Sequence, residues 1–188
     1  SEFEHNRSWN LIGNPYPCYY DTRRMSFTAP ITVWNRYNQR YDAYSPIDDA
    51  YILHPSQSFF VQRPVDQSEI VFDKIGRQKT SEVQFAQHNA AKRVASNIKR
   101  SIYNVTLSDG LVEDHTRFVI NETASINYEL DKDASKFITD DNSSILVYTI
   151  ENDVKYAINE RPLASEVINL GFFVPSDGNY TLSVENTG

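Results

Sequence analysis

Short segments that favour β-strands recur along the whole chain, and turn-forming residues separate them. The segments are rich in Val, Ile, Tyr, Phe and Thr, whereas Asp, Asn, Gly and Pro stand between them. Twelve such segments run from 8–12 to 179–185, which is the pattern of an all-β sandwich or barrel with two packed sheets. In the last segment, Tyr180, Leu182 and Val184 alternate with polar residues. That alternation predicts an antiparallel strand with one face in water.

Two stretches could be taken for helices instead. Trp34, Tyr37, Tyr41 and Tyr44 have helical spacing, but the residues from Asp42 onward are poor helix formers. A tight turn at 38–39 would instead pair 31–37 with 40–46 as a hairpin and set Trp34 opposite Ala43. Residues 76–98 favour a helix by composition but lack a continuous apolar face, so they are predicted to be a long mobile connection. We therefore expect less than about a tenth of the chain in helix.

Length and charge limit the remaining possibilities. The 188 residues fit one domain at 9–188, preceded by a cloning remnant and leader at 1–8. The formal net charge is −7, and the basic window at 71–100 contains only Phe72 and Phe85 for base stacking, so no nucleic-acid partner is expected. Cys18 is the single cysteine, which excludes an intrachain disulfide. No apolar run approaches the roughly 20 residues of a transmembrane segment, so none is predicted.

The stretch WNLIGNPYP at 9–17 predicts a rigid corner. Proline lacks a backbone donor, presets its own φ and biases the preceding residue toward extended geometry. Gly13 is expected to supply an unusual φ or a close approach. The motif is therefore interpreted as a structural corner formed by Gly13, Asn14, Pro15 and Pro17, and not as a catalytic loop.

This motif belongs to a longer ordered pattern. It is followed by ITVWN at 31–35, PSQSFFVQ at 55–62, YAINERP at 156–162 and LGFFVPSDGNYTL at 170–182. The pattern resembles C-terminal modules of secreted and cell-surface Bacteroidetes proteins, which are jelly-roll-like antiparallel β-sandwiches often associated with type IX secretion. The resemblance implies a secreted or cell-surface location on the outer-membrane exterior. It also implies that the partners are neighbouring domains of the same exported protein.

Two groups of residues are candidates for ligand binding. Asp131, Asp133, Asp140 and Asp141 offer the dense oxygen ligands that calcium prefers, although a solvated acidic loop or an ion pair of Asp133 with Lys136 is the alternative. Aromatic residues make up 13% of the chain. They could stack sugar rings or could simply fill the core. The aromatic candidates are Trp34, Tyr37, Tyr41, Tyr44 and Tyr51.

The sequence predicts no enzyme and no catalytic residues. The four histidines are scattered, and no GxSxG elbow exists. No cofactor is expected beyond possible calcium. The main hypothesis is a non-catalytic module for domain spacing, docking or adhesion. The alternative is a carbohydrate-binding adhesin domain for a glycan or host-matrix surface, and the remote alternative is an accessory domain of a hydrolase.

Overall fold

The computed structural model describes residues 4–64, 69–83, 99–139, 143–163 and 167–187. Helical structure in these ranges is confined to three 3-10 turns of three residues each. Part of the predicted connection, 84–98, and the candidate ligands Asp140 and Asp141 lie outside the described residues.

Seven strands in the first part of the chain form two sheets. A four-stranded sheet has the order β1-β6-β3-β4, and a three-stranded sheet has the order β5-β2-β7. All of their strand pairs are antiparallel. The strands are β1 Trp9–Gly13, β2 Tyr19–Asp21, β3 Ile31–Asn35, β4 Arg40–Tyr44, β5 Ile52–Leu53, β6 Ser58–Gln62 and β7 Arg77–Gln78.

Seven further strands form one large sheet. Its order is β13-β11-β12-β9-β8-β14, with β10 paired to β12. The pairs are antiparallel except for β9 and β12, which run parallel. The strands are β8 Arg100–Ser108, β9 Glu113–Asn121, β10 Ala134–Ser135, β11 Leu146–Glu151, β12 Val154–Arg161, β13 Asn169–Phe173 and β14 Thr181–Asn186. The predicted all-β, sandwich-like class is confirmed.

Each part of the chain has its own apolar core. Tyr20, Phe27 and Phe59 are among the fully buried side chains of the first core, to which the two smaller sheets and the segment before β3 contribute. The second core lies on the large sheet and contains Val105 and Val147. Burying these side chains drives the folding of both parts, at about 1.5–3 kcal/mol for each large apolar side chain.

Phe137 joins the two parts. Its ring packs against Trp9, Tyr41 and Phe60 with centroid separations of 4.6, 5.3 and 5.6 Å. All three partners belong to the four-stranded sheet, whereas Phe137 follows β10 of the large sheet. Side chains of the two parts therefore pack against each other at this junction.

The β3–β4 hairpin forms as predicted, but its register differs. Trp34 pairs with Tyr41, and Thr32 is the residue opposite Ala43. The loop is four residues long, because Asn35 Oδ1 accepts the backbone N–H groups of Tyr37 and Asn38 at 3.0 and 3.2 Å. A shift of two residues leaves every side chain on its predicted face.

Asn14 holds the corner after β1 in place. Its Nδ2 donates to the carbonyls of Cys18 and His54 at 2.8 and 3.0 Å, and its Oδ1 accepts from the backbone N–H of Tyr16 at 3.1 Å. The reason proposed for Gly13 is wrong. Its φ is not positive, and a Cβ there would lie 3.8 Å from the nearest atom, Ser58 Oγ, which is ordinary contact.

The predicted mobile connection begins too early. Gly76 ends a 3-10 turn, and strand β7 follows it directly and pairs with β2. Gln78 is buried, and its Nε2 donates to the carbonyls of Thr80 and Glu82, both at 2.8 Å. These contacts make the first residues of 76–98 part of the packed structure.

Candidate functional site

A groove of about 420 Å³ opens beside the β3–β4 hairpin and the segment from Tyr51 to Gln57. We call it the aromatic groove. Four aromatic residues contribute to its lining together with Val33: Trp34, Tyr37, Tyr44 and Tyr51. The polar lining residues are Asn35, Arg36, Asp42, His54 and Gln57. Four of the five aromatic residues predicted from the sequence therefore meet at one place.

The predicted residue Tyr41 does not line the groove. It shares a hairpin face with its cross-strand partner Trp34, and the two rings meet edge-on at 4.9 Å. On the inner side Tyr41 packs against Phe60 and Phe137. Because side chains alternate along a strand, Trp34 lies on the opposite face from Val33 and borders the groove without forming its floor.

The three tyrosines of the groove differ in exposure. Tyr37 lies in the hairpin loop with 83% of its surface exposed. Tyr44 and Tyr51 are half-buried and stacked, with ring centroids 4.3 Å apart and an interplanar angle of 27°. Burial raises the pKa of both hydroxyls, and the nearby carboxylate of Asp42 raises it further. Both hydroxyls therefore stay protonated well into the alkaline range.

Hydrogen bonds fix the polar wall of the groove. Gln57 Nε2 donates to the Tyr51 hydroxyl oxygen at 2.9 Å, while Gln57 Oε1 accepts the backbone N–H of His54 at 2.9 Å. The Tyr51 hydroxyl keeps its own proton available for donation, because it is the acceptor in this bond. On the other side, Asn35 Nδ2 donates to Asp42 Oδ2 at 2.7 Å. The groove thus presents fixed polar groups beside tyrosine rings.

Four charged residues, of which Asp42 also lines the groove, form what we call the buried charge cluster. Its members are Arg40, Asp42, Asp114 and Lys136. Asp114 Oδ1 accepts a hydrogen bond from Lys136 Nζ at 2.7 Å and forms an ion pair with Arg40 Nε at 3.2 Å. Arg40 Nε also lies 3.1 Å from Asp42 Oδ1. Two positive and two negative groups therefore compensate one another across the junction between the two parts.

Burial dominates the chemistry of this cluster. Arg40 is 2% exposed and Asp114 is fully buried. Burial lowers the pKa of Lys136, although the adjacent Asp114 carboxylate opposes that shift. Nη1 and Nη2 of Arg40 have no hydrogen-bond partner within the described ranges. A buried polar atom without a hydrogen-bond partner lowers stability. The ion pairs and hydrogen bonds that the cluster does form are therefore important for the stability of the fold.

A second cavity of about 180 Å³ adjoins the aromatic groove and shares Asp42 and Tyr44 with it. Arg117 also lines this cavity, and its guanidinium forms a bidentate pair with Asp49 at 2.9 and 2.7 Å. Its positive charge is thus already neutralised.

Of the predicted calcium ligands, the structure describes Asp131 and Asp133, and these two differ in their surroundings. Asp131 is exposed, whereas Asp133 is buried. Both carboxylate oxygens of Asp133 accept backbone N–H groups, from Glu129 and Glu160 at 2.7 Å each. Lys136, its alternative ion-pair partner, bonds Asp114 instead. In the ranges that the structure describes, no group of three or more His, Cys, Asp or Glu side chains could hold a metal ion.

His115 has neighbours on the surface of β8 and β9. Its Nδ1 lies 3.0 Å from Thr106 Oγ1, and its Nε2 lies 3.4 Å from Glu113 Oε1. The imidazole and the carboxylate are 48% and 57% exposed. Thr106 and His115 are direct cross-strand partners, so ordinary strand pairing accounts for their contact.

Sequence reasoning missed the polar side of the groove. Gln57 accepts the backbone N–H of His54, and this bond places it beside Tyr51. Asn35 immediately precedes the hairpin loop, a position where Asn favours side-chain bonds to backbone. The sequence around Arg36 and His54 contains no pattern that indicates a binding site, because their place beside the tyrosines depends on how the segments pack.

The fold is all-β, and an open groove lies on its surface beside the β3–β4 hairpin. Residues 18–188 match the family described as "Domain of unknown function (DUF8693)", and the chain belongs to that family. The match begins directly after the 9–17 motif. Comparisons with curated proteins and with solved structures give no significant match. No helix in the described ranges has the length and apolar character needed to span a membrane.

Proposed function

We propose that this chain is a non-catalytic glycan-binding module and that the aromatic groove is its binding site. The observation that carries the proposal is the meeting of Tyr37, Tyr44 and Tyr51 with fixed polar groups in one open groove. Sugar rings have apolar C–H faces and a rim of hydroxyl groups. Tyrosine rings fit those faces, and the hydroxyl, amide and carboxylate groups fit the rim. A volume of about 420 Å³ lies within the roughly 300–1,000 Å³ of ligand sites.

We further propose a secreted or cell-surface location on the outer-membrane exterior, as a module of a larger Bacteroidetes protein exported by type IX secretion. The support is the resemblance of the ordered motifs at 9–17, 55–62, 156–162 and 170–182 to such modules. A glycan-binding role fits that location, because exported proteins meet polysaccharides and host glycans there.

The test is a glycan and host-matrix array on the purified chain, followed by calorimetric titration of the best ligand. Tyr37→Ala removes the most exposed ring of the groove and is expected to weaken binding about two- to tenfold, from an aromatic contact of about 0.5–1.5 kcal/mol. The matched control is Phe172→Ala, which removes a 64% exposed ring from strand β13. Equal affinity of Tyr37→Ala and wild type for every ligand found, or no ligand at all, would contradict the proposal.

A second candidate function is docking of a neighbouring domain of the same exported protein. It is supported by exposed apolar residues at both edges of the large sheet. We call the sheet face that carries these residues the open face. Phe172 of β13 pairs with the buried Val147, while Leu182 and Val184 of β14 pair with the buried Leu107 and Val105. Directly paired residues share a sheet face, so this face continues the second core outward. Phe172, Leu182 and Val184 are nevertheless 64%, 51% and 57% exposed.

The proposed occupant is an extended amphipathic segment of that neighbour. Strand β14 carries a single charge, Glu185, and no Lys or Pro that would discourage strand addition. Amide hydrogen exchange on the isolated chain and on the full exported polypeptide tests the idea. Slower exchange of 181–186 in the longer protein, reversed by Leu182→Ser with Val184→Ser, is expected. Equal exchange in both proteins would refute docking at this face.

A further inference from the structure

We propose that the aromatic groove prefers glycans that carry carboxylate groups, such as uronic-acid polymers, and that Arg36 recognises the carboxylate. This inference rests on the proposed glycan-binding function. It goes further by naming the chemical class of the sugar and the residue that selects it.

Most charges around the groove are paired. Asp42 is the acidic residue of the lining, and its two oxygens are already bonded to Arg40 Nε and Asn35 Nδ2. Together with Asp114 and Lys136, Arg40 and Asp42 form a cluster with no net charge. Arg36, by contrast, has no carboxylate partner in the described ranges. Its positive charge is therefore the uncompensated charge of the groove.

Arg36 is held in place by its neighbours. Its guanidinium carbon lies 5.0 Å from the centroid of the Tyr37 ring, and its Nη2 donates to the Tyr37 hydroxyl oxygen at 3.1 Å. The loop beneath it is fixed by Asn35 Oδ1, and Gln39 Nε2 donates to the Arg36 carbonyl at 2.6 Å. This order reduces the conformational entropy that a ligand must remove on binding.

Arg36 also suits a carboxylate ligand by its chemistry. A guanidinium has five N–H donors in a planar fork, and the Tyr37 contact uses one of them. The remaining donors can bind a carboxylate in the bidentate geometry that arginine favours. A uronic acid carries its carboxylate directly on the sugar ring. One residue of such a polymer can therefore place its C–H face on a tyrosine and its carboxylate on Arg36.

The net charge of the chain is −7, so long-range electrostatics repel an acidic polymer. A preference for acidic glycans must then come from the direct contact between the carboxylate and Arg36. Arg36 is exposed, so its pairing is screened by water and salt. We expect the acidic ligand to bind about three- to tenfold more tightly than an uncharged ligand of the same sugar.

The experiment uses the full 188-residue chain and a panel of oligogalacturonate, oligoglucuronate and oligomannuronate, each with its fully methyl-esterified form. Esterification removes the charge and retains the sugar and its stereochemistry. Arg36→Gln is compared with Arg77→Gln, a matched control. Arg77 is likewise exposed and lies 5.4 Å from the centroid of the Tyr16 ring, but it does not line the groove.

The expected result is a three- to tenfold preference for the acid in wild type and Arg77→Gln, and its loss in Arg36→Gln. Equal affinity of wild type for acid and ester overturns the inference, as does a preference that survives Arg36→Gln. In both of those outcomes binding itself persists, so the proposed function stands. Absence of binding to every acidic and neutral glycan overturns both. Thermal unfolding midpoints of the variants confirm that each is folded.

Discussion

Replacing Asp114 with alanine removes the acceptor at the centre of the buried charge cluster. The carboxylate accepts hydrogen bonds from Lys136 Nζ at 2.7 Å and from the backbone N–H of Val147 at 2.7 Å, and it pairs with Arg40 Nε at 3.2 Å. Removing one partner of a buried ion pair costs about 3–5 kcal/mol. Arg40 retains Asp42, which favours the lower end of this range, while the lost Val147 bond adds about 1 kcal/mol.

We therefore expect Asp114→Ala to lower the free energy of unfolding by about 4 kcal/mol. For a chain of this size, about 2–4 °C per kcal/mol corresponds to a fall of roughly 8–16 °C in Tm. Urea unfolding followed by tryptophan fluorescence measures the change directly, with a lower midpoint and an unchanged m value. The control is the adjacent Glu113→Ala, where the side chain is 57% exposed and a change within about 0.5 kcal/mol is expected. If the two variants lost similar stability, the cluster would not hold the two parts together.

Two further changes test single side chains. Burial raises the pKa of Asp133 well above its ordinary value of 3.8, so the native state binds a proton that the unfolded chain has lost. The free energy of unfolding should therefore fall as pH rises from about 4 through the native pKa. Urea titrations at several pH values measure this fall, and Asp133→Asn should abolish it. The same pH dependence in Asp133→Asn and wild type would show that Asp133 is not the group responsible. Asn14→Ala should lower the free energy of unfolding by about 2–3 kcal/mol, because three side-chain hydrogen bonds are lost at the corner. The control Asn10→Ala loses one exposed hydrogen bond and should change the free energy of unfolding by less than about 0.5 kcal/mol. Equal urea midpoints of the two Asn variants would show that Asn14 does not hold the corner.

Local patterns in the sequence were sufficient to predict most of the strands. The hairpin of β3 and β4 followed from alternation and a central turn, but its register did not. A displacement of two residues preserves both faces, so the apolar pattern contains no information about it. The Asn35 side chain, which sets the loop length, acts through a specific bond that alternation cannot reveal. The two-residue strands β7 and β10 were missed because so short a segment shows no periodicity.

The candidate sites, too, could be predicted from the sequence only in part. Trp34, Tyr37, Tyr44 and Tyr51 could be named because they lie within 18 residues of one another, and a hairpin brings such neighbours together. The sequence could not show that Asp133 is already bonded, because one of its oxygens accepts the backbone N–H of Glu160, 27 residues away. Only the packed structure shows which oxygens remain free. For the same reason, the charge balance that isolates Arg36 could not be predicted from composition.

Glycan binding in the aromatic groove, as proposed above, can be located residue by residue. The most direct measurement is NMR chemical-shift mapping of the isotope-labelled chain during titration with the best ligand from the glycan array. We expect the largest shifts at the backbone amides of 33–44 and 51–57, around Tyr37, Tyr44 and Tyr51. Largest shifts in β13 and β14, with the groove unperturbed, would contradict it and would place the binding surface on the open face.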